Sequence, residues 1–221
     1  MLPEETGTRD AAMIEVHHLN NSRSQRILWL LEELGLAYDI VRYQRDPVTR
    51  FAPPAIKAVH PLGKSPVIRD GSMVVAESGA IVEYLVGRYG NGRLSPKADF
   101  TSPDYVAYLQ WLHFAEGSAM LPLLLKLYVG RLKEAGAPLA PRIESELKNH
   151  FDYMSGALGE NDYFVANTFS AADIQLSFVL DAGGSRGPLK DYPNLVRLDR
   201  RLRARPAYQR AIDRRGPYAE G

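Results

Sequence analysis

Residues 13–43 read MIEVHHLNNSRSQRILWLLEELGLAYDIVRY, and the order of patterns in this stretch decides the fold of the first half of the chain. MIEVHHL (13–19) is a short apolar run with the length of a strand. Ile27, Leu30, Leu31 and Leu34 then recur at i, i+3, i+4 and i+7, with Glu32 and Glu33 towards the other side and Gly35 ending the run, which predicts an amphipathic helix. AYDIVRY (37–43) reads as a second strand. Strand, helix and strand this close together predict a βαβ unit with a right-handed crossover. In the gap between the first strand and the helix stand polar residues only, NNSRSQR (20–26), which either start the helix or carry chemistry.

Outward from this unit, residues 44–65 are rich in proline and turn formers and read mainly as loop with one short helix. PVIRDGSMVVA (66–76) carries a hairpin signal, two apolar runs joined through Asp70-Gly71, a pair suited to a type I′ turn. ESGAIVEYLVGRYG (77–90) follows as a helix with Ser78 as its expected N-cap. The pattern βαβ, loop, ββα makes residues 13–92 a complete small α/β domain, and GNGRLSPKADFTSP (90–103) is a linker by composition. Residues 103–221 read as all-helical, with a first long helical stretch bent or broken near Pro122 and later helices at 141–159, 170–182, 194–204 and 206–214. FSAADIQL (169–176) is a clear helix start: Ser170 caps, Asp173 reaches back in a capping box, and Phe169 with Ile174 forms a hydrophobic staple.

Composition narrows the chemistry. The 221 residues carry a net charge of +1, which argues against a general nucleic-acid binder. The arginine-rich segment 197–215 is expected to be a solvated helical face. No apolar run reaches the roughly 18 residues of a membrane span, and no export signal is evident, so a cytoplasmic location is expected, with MLPEETGTRDAA (1–12) as a loose tail. Cysteine is absent, so disulfides, thiolate metal sites and a cysteine nucleophile are excluded. His17 and His18 are neighbours on a strand and point to opposite faces, and the other three histidines stand alone, so no metal is expected.

A small α/β domain with a proline-led hairpin, a linker and a helical domain opened by this capping box resembles the soluble glutathione S-transferases. The resemblance rests on SRSQRILWLLEELGL, HPLGKSPVIRDG, AESGAIVEYL, FSAADI and YPNL…RARPAYQRA, five segments in the family's order. Within the family, HHLNNSRSQR and WLHFAEGSAM are similar to a bacterial and fungal branch. The resemblance implies a thioredoxin-like domain binding glutathione, an all-helical domain shaping a pocket for a small apolar electrophile, and a homodimer. It implies a transferase that conjugates the glutathione thiolate. Glutathione-dependent peroxide reduction and a non-catalytic glutathione-binding or scaffold module remain as alternatives.

By the same resemblance, Ser65-Pro66 is the cis bond whose backbone pairs with the cysteinyl part of glutathione, and Lys64 reaches its peptide or glycyl carboxylate. Ser78, at a helix N-terminus whose unpaired N–H groups suit an anion, holds the γ-glutamyl carboxylate, and Glu77 attracts the amino group. The thiol must ionise at neutral pH from an ordinary value near about 8.5. One charged hydrogen bond, worth roughly 1.5–3 kcal/mol, lowers it by about one to two units. The family's serine position falls on Asn21, with Ser22 one residue later; both are candidate donors, and Arg23 is an electrostatic helper. Ser24, Gln25 and Arg26 are assigned mainly to starting the helix. Tyr108, Trp111 and Phe114 are the expected lining of the electrophile pocket.

Overall fold

The computed structural model describes residues 13–216. The expected loose tail at 1–12 and the last five residues of the expected helical domain lie outside them. Strand β1 (Ile14–Leu19), helix α1 (Ser24–Leu34) and strand β2 (Tyr38–Tyr43) form the βαβ unit, and strands β3 (Val67–Asp70) and β4 (Met73–Ala76) form the hairpin. The sheet order is β2-β1-β3-β4. β2 pairs parallel with β1, with His18 opposite Arg42, and β3 pairs antiparallel with it, with Val16 opposite Ile68. Helix α2 (Ser78–Tyr89) closes the first half.

α1 is more than amphipathic. Leu28 and Trp29 are buried together with Ile27, Leu30 and Leu31, because α1 lies between β1 on one side and α2 and later helices on the other. Glu32 and Glu33 stay near the surface, and both are spent on ion pairs.

The hairpin turn differs from the expected type I′. Asp70 pairs with Met73, so Gly71 and Ser72 are the two loop residues, and only Gly71 has a left-handed φ, +59°. Type I′ needs positive φ at both central residues; a glycine alone at the first is the type II′ preference.

The helical half contains α3 (Pro103–Phe114), α4 (Met120–Val129), α5 (Ala140–Leu158), α6 (Ala171–Arg186), α7 (Pro193–Arg203) and α8 (Pro206–Arg215). The first long stretch is distorted ahead of Pro122, not at it: a π turn spans Ala115–Ala119 between α3 and α4. Proline has no N–H for the carbonyl four residues back and its ring crowds that carbonyl, so the turn preceding it widens. The capping box of α6 is present: Ser170 N–H donates to Asp173 Oδ2 at 2.9 Å, and Phe164 N–H donates to Oδ1 at 3.2 Å. In segment 197–215, Arg197, Arg201, Arg203, Arg205, Arg210 and Arg214 pair with carboxylates. Among these, Arg205 to Glu33 and Arg210 and Arg214 to Glu32 fasten α8 onto α1 across the two halves.

Candidate active site

Two cavities flank the start of α1. The smaller, about 160 Å³, is lined by Arg23, Lys64, Ser65, Pro66, Glu77, Ser78 and Glu116. It gathers every residue expected to hold glutathione. The larger, about 470 Å³, opens between α1 and helices α6, α7 and α8, with Asn21, Ser22, Arg26, Trp29, Phe178 and Tyr208 in its wall.

The floor of the smaller cavity follows from local geometry. Ser65-Pro66 is cis and leads directly into β3. Ser65 Oγ donates to His17 O at 2.8 Å and accepts from Leu19 N–H at 3.2 Å, which ties the turn to β1. Glu77 is the residue before α2 and has φ +68°, a left-handed conformation that is rare for a non-glycine and clusters at functional sites. Ser78 is therefore the first residue of α2, not its N-cap, because the chain turns one residue earlier. Its buried hydroxyl accepts from Arg26 Nη1 at 3.3 Å and Gln175 Nε2 at 3.2 Å. With both lone pairs engaged, its own hydrogen is left for an acceptor in the cavity.

Arg26 corrects the sequence reading most. It does not merely start the helix: its side chain is 1% exposed and reaches Glu116 Oε1 at 2.9 Å. Arg23 Nε donates to Glu116 Oε2 at 2.6 Å. Both guanidinium groups also lie 5.3 Å from the Phe178 ring centroid. Burial lowers the Arg26 pKa to about 10, with Glu116 acting against that, so the group is a cation at neutral pH. Glu116 stands on the π turn and was not singled out in the sequence. Its only local signal is Pro122 downstream, which foretells a distortion but not what the distorted turn faces.

Asn21 and Ser22 separate clearly. Asn21 is exposed with φ +49°, and its carbonyl accepts from Arg45 Nη2 at 3.4 Å. Ser22 is buried. Its Oγ lies 2.7 Å from Ser24 Oγ and 3.5 Å from Ser65 Oγ, and it accepts from Ser24 N–H at 3.3 Å. Ser24 is not the helix cap but the middle of a buried chain, its Oγ 2.8 Å from His18 Nδ1.

The three aromatics expected to line an electrophile pocket lie away from both cavities. Tyr108 and Trp111 are 3% and 4% exposed and belong to the core. Trp111 packs at 4.4 Å on Phe164 and at 5.3 Å on Tyr153, and Phe114 sits edge-on to both Trp111 and Tyr153. None of Tyr108, Trp111 and Phe114 lines either cavity; Trp111 and Phe114 pack towards α5 and Trp111 also towards Phe164 before α6, while Tyr108 stacks on Tyr105. The aromatic surface of the larger cavity comes instead from Trp29, Phe178 and Tyr208. Among the described residues no group of three or more His, Cys, Asp or Glu side chains could hold a metal ion, and no helix is long and apolar enough to cross a membrane.

Comparison with known proteins gives the family and the fold. Residues 11–87 match the family model described as glutathione S-transferase, N-terminal domain, and residues 122–210 match glutathione S-transferase, C-terminal domain. Glutathione S-transferase 3 of Schizosaccharomyces pombe is 36% identical over 218 residues, covering 91% of this chain and 88% of the relative. A glutathione S-transferase crystal structure from Actinobacillus pleuropneumoniae superimposes with a TM-score of 0.81 at 34% identity, over 90% of this chain and 91% of that one. A glutathione transferase family member from Pseudomonas fluorescens, solved with two glutathione molecules bound, shares the fold with a TM-score of 0.77 at 23% identity, over 93% and 94% of the two chains. The chain belongs to the glutathione S-transferase family and is a glutathione S-transferase enzyme.

Proposed function

We propose that this chain binds glutathione in the smaller cavity and joins its thiolate, with the peptide still attached, to an electrophile held in the larger one. The observation that carries the reading is the junction between them: Ser65 lines the first cavity, Ser22 lines the second, and their hydroxyl oxygens are 3.5 Å apart. In this reading the γ-glutamyl carboxylate meets the first turn of α2 and the Ser78 hydroxyl, where unpaired N–H groups favour an anion. Glu77 attracts the γ-glutamyl amino group, the backbone at Ser65-Pro66 pairs with the cysteinyl unit, and Lys64 takes the glycyl end. Arg23 and Arg26, held by Glu116, add positive potential behind the peptide.

The sulfur then lies at the Ser22 end of the junction. The thiol releases its proton to water, and the Ser22 hydroxyl keeps its own and donates a hydrogen bond to the thiolate. Asn21, exposed at the mouth, borders the electrophile. The ring faces of Trp29, Phe178 and Tyr208 suit an apolar planar electrophile, and Asp181, Asp199 and Gln209 on the same wall make room for a polar substituent. The homodimer expected of the family has a candidate seam at edge strand β4, where Met73 and Val74 are exposed. Steady-state turnover of an aryl halide with glutathione tests the proposal, with a hydroperoxide as the parallel substrate. Conjugation of the halide supports it; tight glutathione binding with no turnover of either substrate overturns it in favour of a binding module.

A further inference from the structure

A buried chain of polar atoms leads away from Ser22 into the first domain, and the transfer mechanism above does not use it. Ser22 Oγ is 2.7 Å from Ser24 Oγ, which is 2.8 Å from His18 Nδ1, and all three residues are buried. The atoms come from two elements, β1 for His18 and the first turn of α1 for Ser24, with Ser22 in the loop between them.

Ser24 Oγ also has Leu19 O at 3.4 Å as an acceptor, but Ser22 Oγ and His18 Nδ1 at 2.7 and 2.8 Å are much closer, so the chain through them has two directions. In one, the Ser22 hydroxyl donates to Ser24 and Ser24 donates to the imidazole, so the hydrogen of Ser22 is consumed internally. In the other, His18 Nδ1–H donates to Ser24 and Ser24 donates to Ser22. Ser22 Oγ already accepts the Ser24 main-chain N–H at 3.3 Å, so the second direction fills both its lone pairs and leaves one hydrogen to give outward.

The charges around His18 favour the second direction. Arg42 is its partner across the β1–β2 ladder, and Arg215 of α8 also bears on it. His17, its neighbour on β1, faces the other way, towards Tyr43 and Glu15. A neutral imidazole under this positive field is best placed with its proton on the nitrogen facing Ser24 and its lone pair on the other nitrogen. Burial and the two arginines hold the imidazole neutral, its pKa lowered to about 4, so the tautomer sets the direction at neutral pH.

We propose that His18 and Ser24 are positioning residues that act through Ser22: the Nδ1–H of His18 and the hydroxyl of Ser24 align the Ser22 hydroxyl so that its hydrogen points at the glutathione sulfur. This rests on the reading of Ser22 as the thiolate donor. No atom leaves the chain in the process; the hydrogen bonds share one direction, and mutual polarisation strengthens the last of them.

The experiment is a pH titration of the bound thiol, followed through the ultraviolet absorbance of the thiolate in the full-length protein saturated with glutathione. Ser24→Ala and His18→Leu each lower the thiolate fraction at neutral pH about threefold to tenfold, by loss of one neutral hydrogen bond from the chain, with glutathione affinity little changed. Ser24→Thr, which keeps the hydroxyl, and His18→Asn, whose amide nitrogen overlies Nδ1, return the titration towards the wild type. Ser24→Ala carries the test alone if His18→Leu does not fold. An unchanged thiol pKa in Ser24→Ala overturns the proposal, and so does a lowered one, because it means the chain ran the other way. A wild type with no depressed thiol pKa overturns the reading of Ser22 along with it, whereas a depressed wild-type value that Ser24→Ala leaves intact overturns only the chain.

Discussion

Asn21 and Ser22 are adjacent, both polar and both able to donate, yet the backbone gives them different work. The left-handed φ of Asn21 turns the chain at the end of β1 and leaves its side chain exposed, a conformation asparagine tolerates better than most residues. One residue later Ser22 is buried, tied to Ser24 and beside Ser65. Ser22→Ala is therefore expected to raise the pKa of the bound thiol by about one to two units and to cut kcat/KM at neutral pH by roughly tenfold to a hundredfold. Asn21→Ala is expected to change kcat/KM by less than about threefold, since it removes no hydrogen bond inside the junction. Parallel pH–rate profiles of the two variants check both outcomes. The family resemblance brought the choice down to these two residues, because its serine position falls on Asn21 with Ser22 one residue later. It could not go further, since which of them adopts positive φ is decided by the contacts of Arg45, in the loop after β2, with Asn20 and Asn21.

Helix α6 illustrates how an element is specified at its ends but placed by its middle. The capping box at Ser170 and Asp173 was readable because it is a rule about residues three apart. The glycine pair near the other end was not readable in the same way. A Cβ added to Gly183 would stand 2.5 Å from Phe151 Cζ, and Phe151 is fully buried on α5. A Cβ on Gly184 meets only Leu189 Cδ2 at 3.5 Å, an ordinary contact. Gly183→Ala is expected to destabilise the protein by about 1–3 kcal/mol, because overpacking exceeds the helix propensity gained. Gly184→Ala is expected to stabilise it by about 0.5–1 kcal/mol through that propensity. Urea midpoints of the two variants should move in opposite directions. The same contrast explains Trp111 and Phe114: an aromatic stripe says that a helix face is covered, and only the packed neighbours Tyr153 and Phe164 say by what.

The two halves of the molecule meet through charges at the back of the site, of which Arg26 is buried and Arg23 and Glu116 are half-buried. Glu116 answers both Arg23 and Arg26, and Arg26 has almost no solvent to fall back on. Glu116→Gln is expected to cost about 3 kcal/mol, because removing one partner leaves an uncompensated buried charge. Adding Arg26→Met to Glu116→Gln should recover much of the loss, which a double-mutant cycle by urea unfolding checks. Two buried groups also set opposed responses to acid. His18 is held neutral when folded, its pKa lowered to about 4 by burial and then by Arg215 and Arg42, so between its ordinary 6.5 and about 4 the unfolded chain binds more protons and stability falls as pH drops. Burial raises the Asp173 pKa from 3.8 to about 6 against the hydrogen bonds of its capping box, so the folded chain binds more protons there and stability rises as pH drops. These contributions offset one another in the wild type. His18→Asn should gain stability on acidification from about pH 6 to pH 4, and Asp173→Asn should lose it, in denaturant curves taken across that window.

The resemblance to the family implied the cis-proline turn and the residues Lys64, Ser65, Pro66, Glu77 and Ser78, while from the sequence by itself came the elements and their order and the capped helix of the second half. Each depends on interactions within a few residues: hydrophobic period, proline and glycine geometry, and the donors exposed at a helix start. Tertiary structure alone decided that Ser22 rather than Asn21 meets the junction, that Arg26 is a buried cation answered by Glu116, and that Trp29, Phe178 and Tyr208 line the larger cavity. Those outcomes join residues far apart in the chain, such as Arg23 to Glu116 and Arg205 to Glu33. Their distances and burial are fixed by how helices rotate and pack against one another, which no local pattern in the chain encodes.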